Sequence, residues 1–323
     1  MTASDSALLP LNQALPWQHE QWQQLCRLLN SDRLPHAIML SGAEDTGKRH
    51  FAERFIQRLF CTSPVDEVAC GECKQCRLYL SGGHPDFKRI QPESAGKAIS
   101  INAIRELSEF AVITAHQQSW KVALVAPVEA MTLNAANAFL KTLEEPREKT
   151  LLLLVHDQLA PVLPTIRSRC RVLSQGLPPP AMARDWLVGQ LADQPGDTSA
   201  VVDELLARAG GRPLRALGFA EANTLDEIAR FEQVLKQVQR GDAAPVSSAA
   251  AFEGQPLIQL LEWMLSYYSR QLIHSAQSGK TAEPRQFVFY DLLLSTRRKL
   301  ESKTNLNPQL VLEELFLSLS QLA

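Results

Sequence analysis

No stretch of the chain approaches the roughly 20 consecutive apolar residues that a spanning helix needs, which excludes a helical membrane protein. Met1 to Pro16 lacks the basic-then-apolar pattern of a secretory leader, so the expected compartment is the cytoplasm. Net charge is nearly absent as well: the formal value is −2. That excludes a chain-wide attraction to nucleic acid, and any DNA contact has to come from a local patch or a larger assembly. Cysteine is sparse, with six residues. Without a leader they predict a reducing compartment, where clustered thiols serve a metal rather than a disulfide framework.

Two further absences fall inside motifs. Gly42-Ala43-Glu44-Asp45-Thr46-Gly47-Lys48 spells a phosphate-binding loop, but Arg49 stands where Ser or Thr belongs. Ile38-Met39-Leu40 reads as a buried strand before it, and Phe51, Phe55 and Leu59 recur at helical spacing after it. Such a loop presents backbone N–H groups and a helix N-terminus to phosphate oxygens. The missing hydroxyl is the one that holds Mg²⁺, and without the metal the γ-phosphate charge is poorly compensated. The strand Lys121 to Val125 should end in an acidic residue for the same metal, yet Ala126-Pro127 follows. Glu129 comes three residues later, and His156 stands after the third strand where Thr or Asn would sense the γ-phosphate. Together these departures predict a site that does not turn over ATP. Gly42, Gly47 and Lys48 then survive either for loop packing or to hold a nucleotide passively.

Cysteine, scarce elsewhere, is concentrated in one place. Cys61-x8-Cys70-x2-Cys73-x2-Cys76 brings four thiols within sixteen residues. Zn²⁺ takes four tetrahedral thiolates, and two-residue spacers let successive ones converge on one ion. Gly71 suits the turn, and Lys74 offsets the negative charge of a Cys₄ site. With no open coordination position the metal is structural, and its binding supplies folding energy to a loop too small for a core. The alternative is a set of unrelated buried or redox cysteines. Cys26 and Cys170 lie outside the cluster and read as ordinary buried thiols.

At 323 residues the chain exceeds one compact core. Trp17 to Asn30 reads as a helix and Ile104 to Thr114 as another. Leu133, Ala136, Leu140 and Leu143 stripe a third helix, with Thr132 as N-cap and Pro146 as stop. Continuous apolar runs at Ile38 to Leu40, Lys121 to Val125 and Leu151 to Val155 predict strands buried on both faces of a parallel sheet, with Arg171 to Leu173 a candidate fourth. Strands alternating with helices give an α/β domain over residues 1–175, with the cysteine module at 61–76. Pro178-Pro179-Pro180 marks a boundary, after which only helices are expected: a small domain at 176–223 and an all-α domain at 224–323. Asp242 to Pro256, rich in Ala, Ser, Gly and Pro, reads as a flexible loop ahead of two long amphipathic stretches at Leu257 to Ala276 and Phe287 to Leu300. The apolar coverage of the terminal helix suggests burial against other subunits, or closure of the domain's own core. Thr165-Ile166-Arg167-Ser168-Arg169-Cys170 places two arginines around a small residue. The pair reads as a solvated face or as an arginine finger, for which the fixed fork of guanidinium donors is suited.

With these residues in view the chain resembles the AAA+ clamp-loader family. The features that carry the likeness are Arg33-Leu34-Pro35-His36-Ala37, the loop, the cysteine insertion, His84-Pro85-Asp86, Leu140-Lys141-Thr142-Leu143-Glu144-Glu145-Pro146 and Ser168-Arg169-Cys170. The likeness covers about residues 10–220. It implies a RecA-like AAA+ domain with a zinc knuckle, a three-helix lid and a helical collar that builds a hetero-pentameric ring. It also implies a stator-like subunit without ATPase activity of its own, part of a DNA-directed DNA polymerase holoenzyme. Arg169 would reach the ATP of a neighbouring motor subunit, in the company of Ser168 and Cys170. The implied partners are the motor subunits and the clamp-opening subunit, with the sliding clamp and primer-template DNA engaged through the complex. Arg215 falls near a lid arginine of the family's motors, though no competent site stands behind it. Arg105 is a candidate DNA-phosphate contact, or a solvated surface arginine. Two other readings remain at this stage. One is an ATP-hydrolysing motor subunit, which would need Mg²⁺ held by another group. The other is a zinc-knuckle nucleic-acid binder, which lacks the aromatic stacking platforms such proteins use.

Overall fold

The computed structural model describes residues 9–94, 97–115, 120–158, 161–192, 198–222, 224–279, 283–301 and 307–322. It divides into two compact units, Met1–Trp186 and Leu187–Ala323.

The first unit is built on a five-stranded parallel sheet in the order β2-β3-β4-β1-β5. The strands are β1 (Ala37–Ser41), β2 (Phe87–Ile90), β3 (Lys121–Val125), β4 (Thr150–His156) and β5 (Arg171–Ser174). Successive residues of a strand point to opposite faces, and here the two faces meet two separate cores. Ile38, Leu40, Val122, Leu124, Leu151 and Leu153 pack under helices α1 (His19–Asn30) and α2 (Lys48–Phe60) through Leu25, Phe51, Phe55 and Ile56. Met39, Ala123, Val125, Leu152 and Leu154 pack on the other side against α4 (Ile101–Val112) and α5 (Leu133–Glu144) through Ile104, Leu107, Ala136 and Phe139. Full burial of such side chains is worth about 1.5–3 kcal/mol each. This explains why β1, β3 and β4 read as unbroken apolar runs.

Helix ends follow local chemistry. The Thr132 hydroxyl accepts the Ala135 N–H at 3.2 Å, the predicted N-cap of α5. Ser100 does the same for Ala103 at 3.2 Å, so α4 begins three residues earlier than the apolar spacing suggests. The short helix α3 (Lys74–Leu80) follows the cysteine turn, and α6 (Pro164–Arg167) is a single turn before β5. At the exit from the cysteine insertion, the His84 ring stacks on Phe60 at 3.7 Å. Asp86 forms a buried ion pair with Lys121 at 3.1 Å, tying that exit to the start of β3.

Beyond Ser174 every described element is helical: α7 (Pro180–Gln190), α8 (Thr198–Arg208), α9 (Pro213–Glu221), α10 (Leu225–Gln239), α11 (Pro245–Ala250), α12 (Leu257–Gln277), α13 (Pro284–Glu301) and α14 (Pro308–Ser320). The expected loop at 242–256 holds α11, started by Pro245 in its first turn, and Ala249 and Phe252 enter the core. Small residues made this stretch look mobile, but they let the helix pack closely. In the second unit two glutamates are each held by arginines from two other helices. Glu232 of α10 meets Arg208 of α8 at 3.1 Å and Arg270 of α12. Glu262 of α12 meets Arg215 of α9 at 3.5 Å and Arg297 of α13 at 3.6 Å.

Candidate functional site

The glycine-lysine loop leaves the C-terminal end of β1, an inner strand, and enters α2, the place where parallel α/β sheets bind ligands. Its glycines are fixed by backbone geometry. A Cβ on Gly42 would lie 1.8 Å from the Gln175 carbonyl oxygen, because β5 runs out alongside β1. Gly47 caps α2 at φ +86°, a left-handed conformation that favours glycine.

Lys48 is fully buried. Its Nζ donates to the Ala43 carbonyl and pairs with Asp157 Oδ1 at 2.6 Å. The loop's phosphate-binding cation is therefore neutralised by a residue of the same chain, at the end of the adjacent strand β4. The carbonyls of the loop are also engaged. The Trp17 indole donates to Thr46 O at 2.9 Å, and the Gln18 amide donates to Gly47 O at 2.8 Å. Arg49 extends to the Ala126 carbonyl at 3.5 Å, so a guanidinium spans from the missing hydroxyl position to the missing carboxylate position. Glu129 turns back after β3 and accepts the Asp157 N–H at 2.8 Å, which brings it beside the Lys48 pair. His156 Nδ1 lies 3.0 Å from the Ser41 hydroxyl. Asp157 escaped the sequence reading. The available signal was an acidic residue two positions past the third apolar run, at the C-terminal end of the sheet where the loop must lie.

The four cluster cysteines are brought together. Their Sγ atoms all lie within 4.8 Å of one another. A tetrahedral Zn²⁺ with Zn–S of about 2.3 Å requires S···S spacings near ~3.8 Å, so the set fits the ion. Cys61 closes the C-terminus of α2, and Cys73 caps α3 by accepting the Cys76 N–H at 3.4 Å. The amides of Cys70 and Cys73 donate in turn to Cys61 and Cys70 sulfurs, both at 3.3 Å. N–H donors aimed at sulfur favour thiolates, the form a metal needs. Burial alone would raise the Cys73 thiol, yet donors from Cys76 and Thr62 bring it down to about 6. Gly71, at φ +77°, makes the turn between them.

The Ser168-Arg169-Cys170 triplet sits between α6 and β5. Ile166 and Leu143 belong to one buried core, which fixes the backbones of α6 and the end of α5 against each other. The Ser168 hydroxyl caps the turn by donating to Thr165 O at 3.1 Å. Cys170 turns toward the core, where burial pushes its thiol up to about 12. Arg169 keeps a side chain 36% exposed; its Nη1 donates to Thr165 O at 3.0 Å and its Nη2 pairs with Glu144. The triplet precedes the start of β5, while the loop follows the end of β1. In a parallel sheet those are opposite edges, separated by roughly 13 Å of four-residue strand. Arg215 is spent on Glu262, and Arg105 lies exposed on α4.

A parallel sheet whose inner strand delivers a glycine-lysine loop to a helix defines a phosphate-loop α/β module, the class to which the first unit belongs. A family model described as "DNA polymerase III, delta subunit" matches residues 17–176. The chain is 36% identical to DNA polymerase III subunit delta′ of Pseudomonas aeruginosa, over 95% of this chain and 97% of that protein. Against the Escherichia coli subunit delta′ it is 32% identical over 53% of this chain and 52% of that one. The chain belongs to the family of DNA polymerase III delta′ subunits. A solved gamma subunit-related protein of Thermotoga maritima has a similar fold, with a TM-score of 0.53 at 20% identity, covering 93% of this chain and 99% of that one.

Proposed function

We propose that the chain is a stator-like subunit of the replicative clamp loader that does not hydrolyse ATP and lends Arg169 to the ATP site of a neighbouring motor subunit. The observation that carries this reading is the separation of Arg169 from its own loop by the length of a strand. An arginine at that edge serves a phosphate on another chain or none. The state of the loop supports the same reading: Lys48 is paired with Asp157, and neither Arg49 nor Ala126 can hold Mg²⁺. One Zn²⁺ held by Cys61, Cys70, Cys73 and Cys76 would brace the insertion without taking part in chemistry. Residues 176–223 would serve as lid and 224–323 as collar in a hetero-pentameric ring with motor and clamp-opening subunits. That ring loads the sliding clamp onto primer-template DNA in the cytoplasm; no helix among the described residues is long and apolar enough to cross a membrane.

The test is the reconstituted complex. An arginine finger is worth about 10³ to 10⁵ in rate at its site, or roughly 4–7 kcal/mol of barrier. Arg169→Ala is expected to leave folding, metal content and assembly intact while slowing hydrolysis at one interface and impairing clamp loading. The whole-complex loss is smaller, because other sites keep their own fingers. Arg169→Lys should recover little, since a point charge lacks the bidentate fork. The exposed Arg167, changed to Ala, serves as control. Wild-type loading by the Arg169→Ala complex under limiting ATP overturns the trans role.

A further inference from the structure

We propose that Glu144 is the positioning residue for Arg169, holding its guanidinium aimed outward before a neighbour's phosphate arrives. The inference rests on the trans role of Arg169 given above. A long arginine just past a single-turn helix has many rotamers, and freezing them at the moment of reaction costs rate. Here two acceptors restrain it in advance: Thr165 O holds Nη1 at 3.0 Å, and the Glu144 carboxylate holds Nη2. These contacts use one N–H from each terminal nitrogen, and the guanidinium keeps further donors for a phosphate oxygen. Glu144 is itself well placed to set direction, because Leu143 beside it is buried and shares a core with Ile166 of the arginine's own turn. The carboxylate ends α5 at the negative pole of the helix dipole, where an acid is disfavoured. A cation partner offsets that penalty, so the pair satisfies the helix end and the finger together. Glu144 is 48% and Arg169 36% exposed, which leaves the pair accessible to a partner chain.

The experiment compares complexes reconstituted with wild-type, Glu144→Ala, Glu144→Gln, Arg169→Ala and doubly substituted Glu144→Ala/Arg169→Ala chains. ATP turnover is measured with clamp and primed DNA. Glu144→Ala is expected to lower kcat at the affected interface about 10-fold, within the ~10²-fold that an ångström of misplacement costs, with KM for ATP unchanged. Glu144→Gln keeps the acceptor oxygen and should recover most of the rate. In the Arg169→Ala background, Glu144→Ala should have no further effect. Thermal unfolding and zinc content of each chain report its folding. If Arg169→Ala slows turnover but Glu144→Ala does not, the positioning role is wrong and the finger stands. A faster Glu144→Ala complex overturns it too, because the carboxylate would then be a competitor for the guanidinium. Additive losses in the double variant place Glu144 on another pathway and likewise refute the inference. An Arg169→Ala complex with wild-type turnover removes the finger, and the positioning role with it.

Discussion

Lys48 is the residue whose role changes most between motif and molecule. In the motif it is a phosphate ligand; in the fold its ammonium is fully buried and paired with Asp157 at 2.6 Å. Removing one partner of a buried pair leaves an uncompensated charge, typically at a cost of 3–5 kcal/mol. Asp157 is 18% exposed in its side chain, so Asp157→Ala should fall near the lower end, about 3 kcal/mol. Denaturant unfolding of the full chain measures it, and Asp157→Asn, which can still accept a hydrogen bond, should lose less. His50 gives a pH test. It is buried with one ring nitrogen 2.8 Å from the Gln13 carbonyl, and burial lowers its pKa below 6.5. The unfolded chain therefore binds this proton more readily than the folded one, and stability should fall as pH drops below about 6.5. His50→Gln is expected to flatten that slope; an unchanged slope in a pH series of unfolding curves would mean the titration belongs elsewhere. The glycines, Lys48 and the four cysteines were legible because each type carries its chemistry in its spacing. Asp157 and Glu144 were not, since their partners are set by which strand ends and helix turns the sheet brings together.

At the scale of elements, legibility tracked burial. β1, β3 and β4 are covered on both faces and read as apolar runs, whereas β2, with Lys88 and Arg89 in its four residues, lies at the sheet edge and was hidden behind His84-Pro85-Asp86. α11 was hidden by the Pro, Ser and Gly around its alanines: Pro245 and Pro256 read as breakers, although Pro is tolerated in a helix's first turn and Ala favours helix. The cysteine insertion is the element with least core of its own. Cys61 ends α2 and Cys73 begins α3, so a bound ion would join two helices. Metal analysis of the purified chain should give one zinc per molecule. Cys73→Ser should release it and loosen the insertion while the helical unit at Leu187–Ala323 keeps its unfolding transition. A chain purified without zinc would refute the assignment.

At the scale of the whole chain, the second unit gathers α8 and α9 with α10 to α14, and the arginine–glutamate–arginine groupings cross between these helices. Glu262 is 15% exposed, with Arg215 and Arg297 at 11% and 12%. Glu262→Ala removes a carboxylate that two largely buried arginines share and is expected to destabilise this unit by about 1–3 kcal/mol, read from its unfolding transition. Sequence reading followed the helices but not these cross-links, which depend on interhelical geometry. The contact between Gly42 and the Gln175 carbonyl has a further consequence, for how such chains drift over time. Any side chain at position 42 would have to push β5 away from β1, so mutation there is closed on steric grounds alone. Gly47 is confined by its left-handed backbone and Lys48 by its buried partner. A lineage that stopped using nucleotide would still be unable to erase the three letters by which nucleotide users are recognised. The signature then records ancestry, while Arg49 and Ala126, where a hydroxyl and a carboxylate would hold the metal, record the trade.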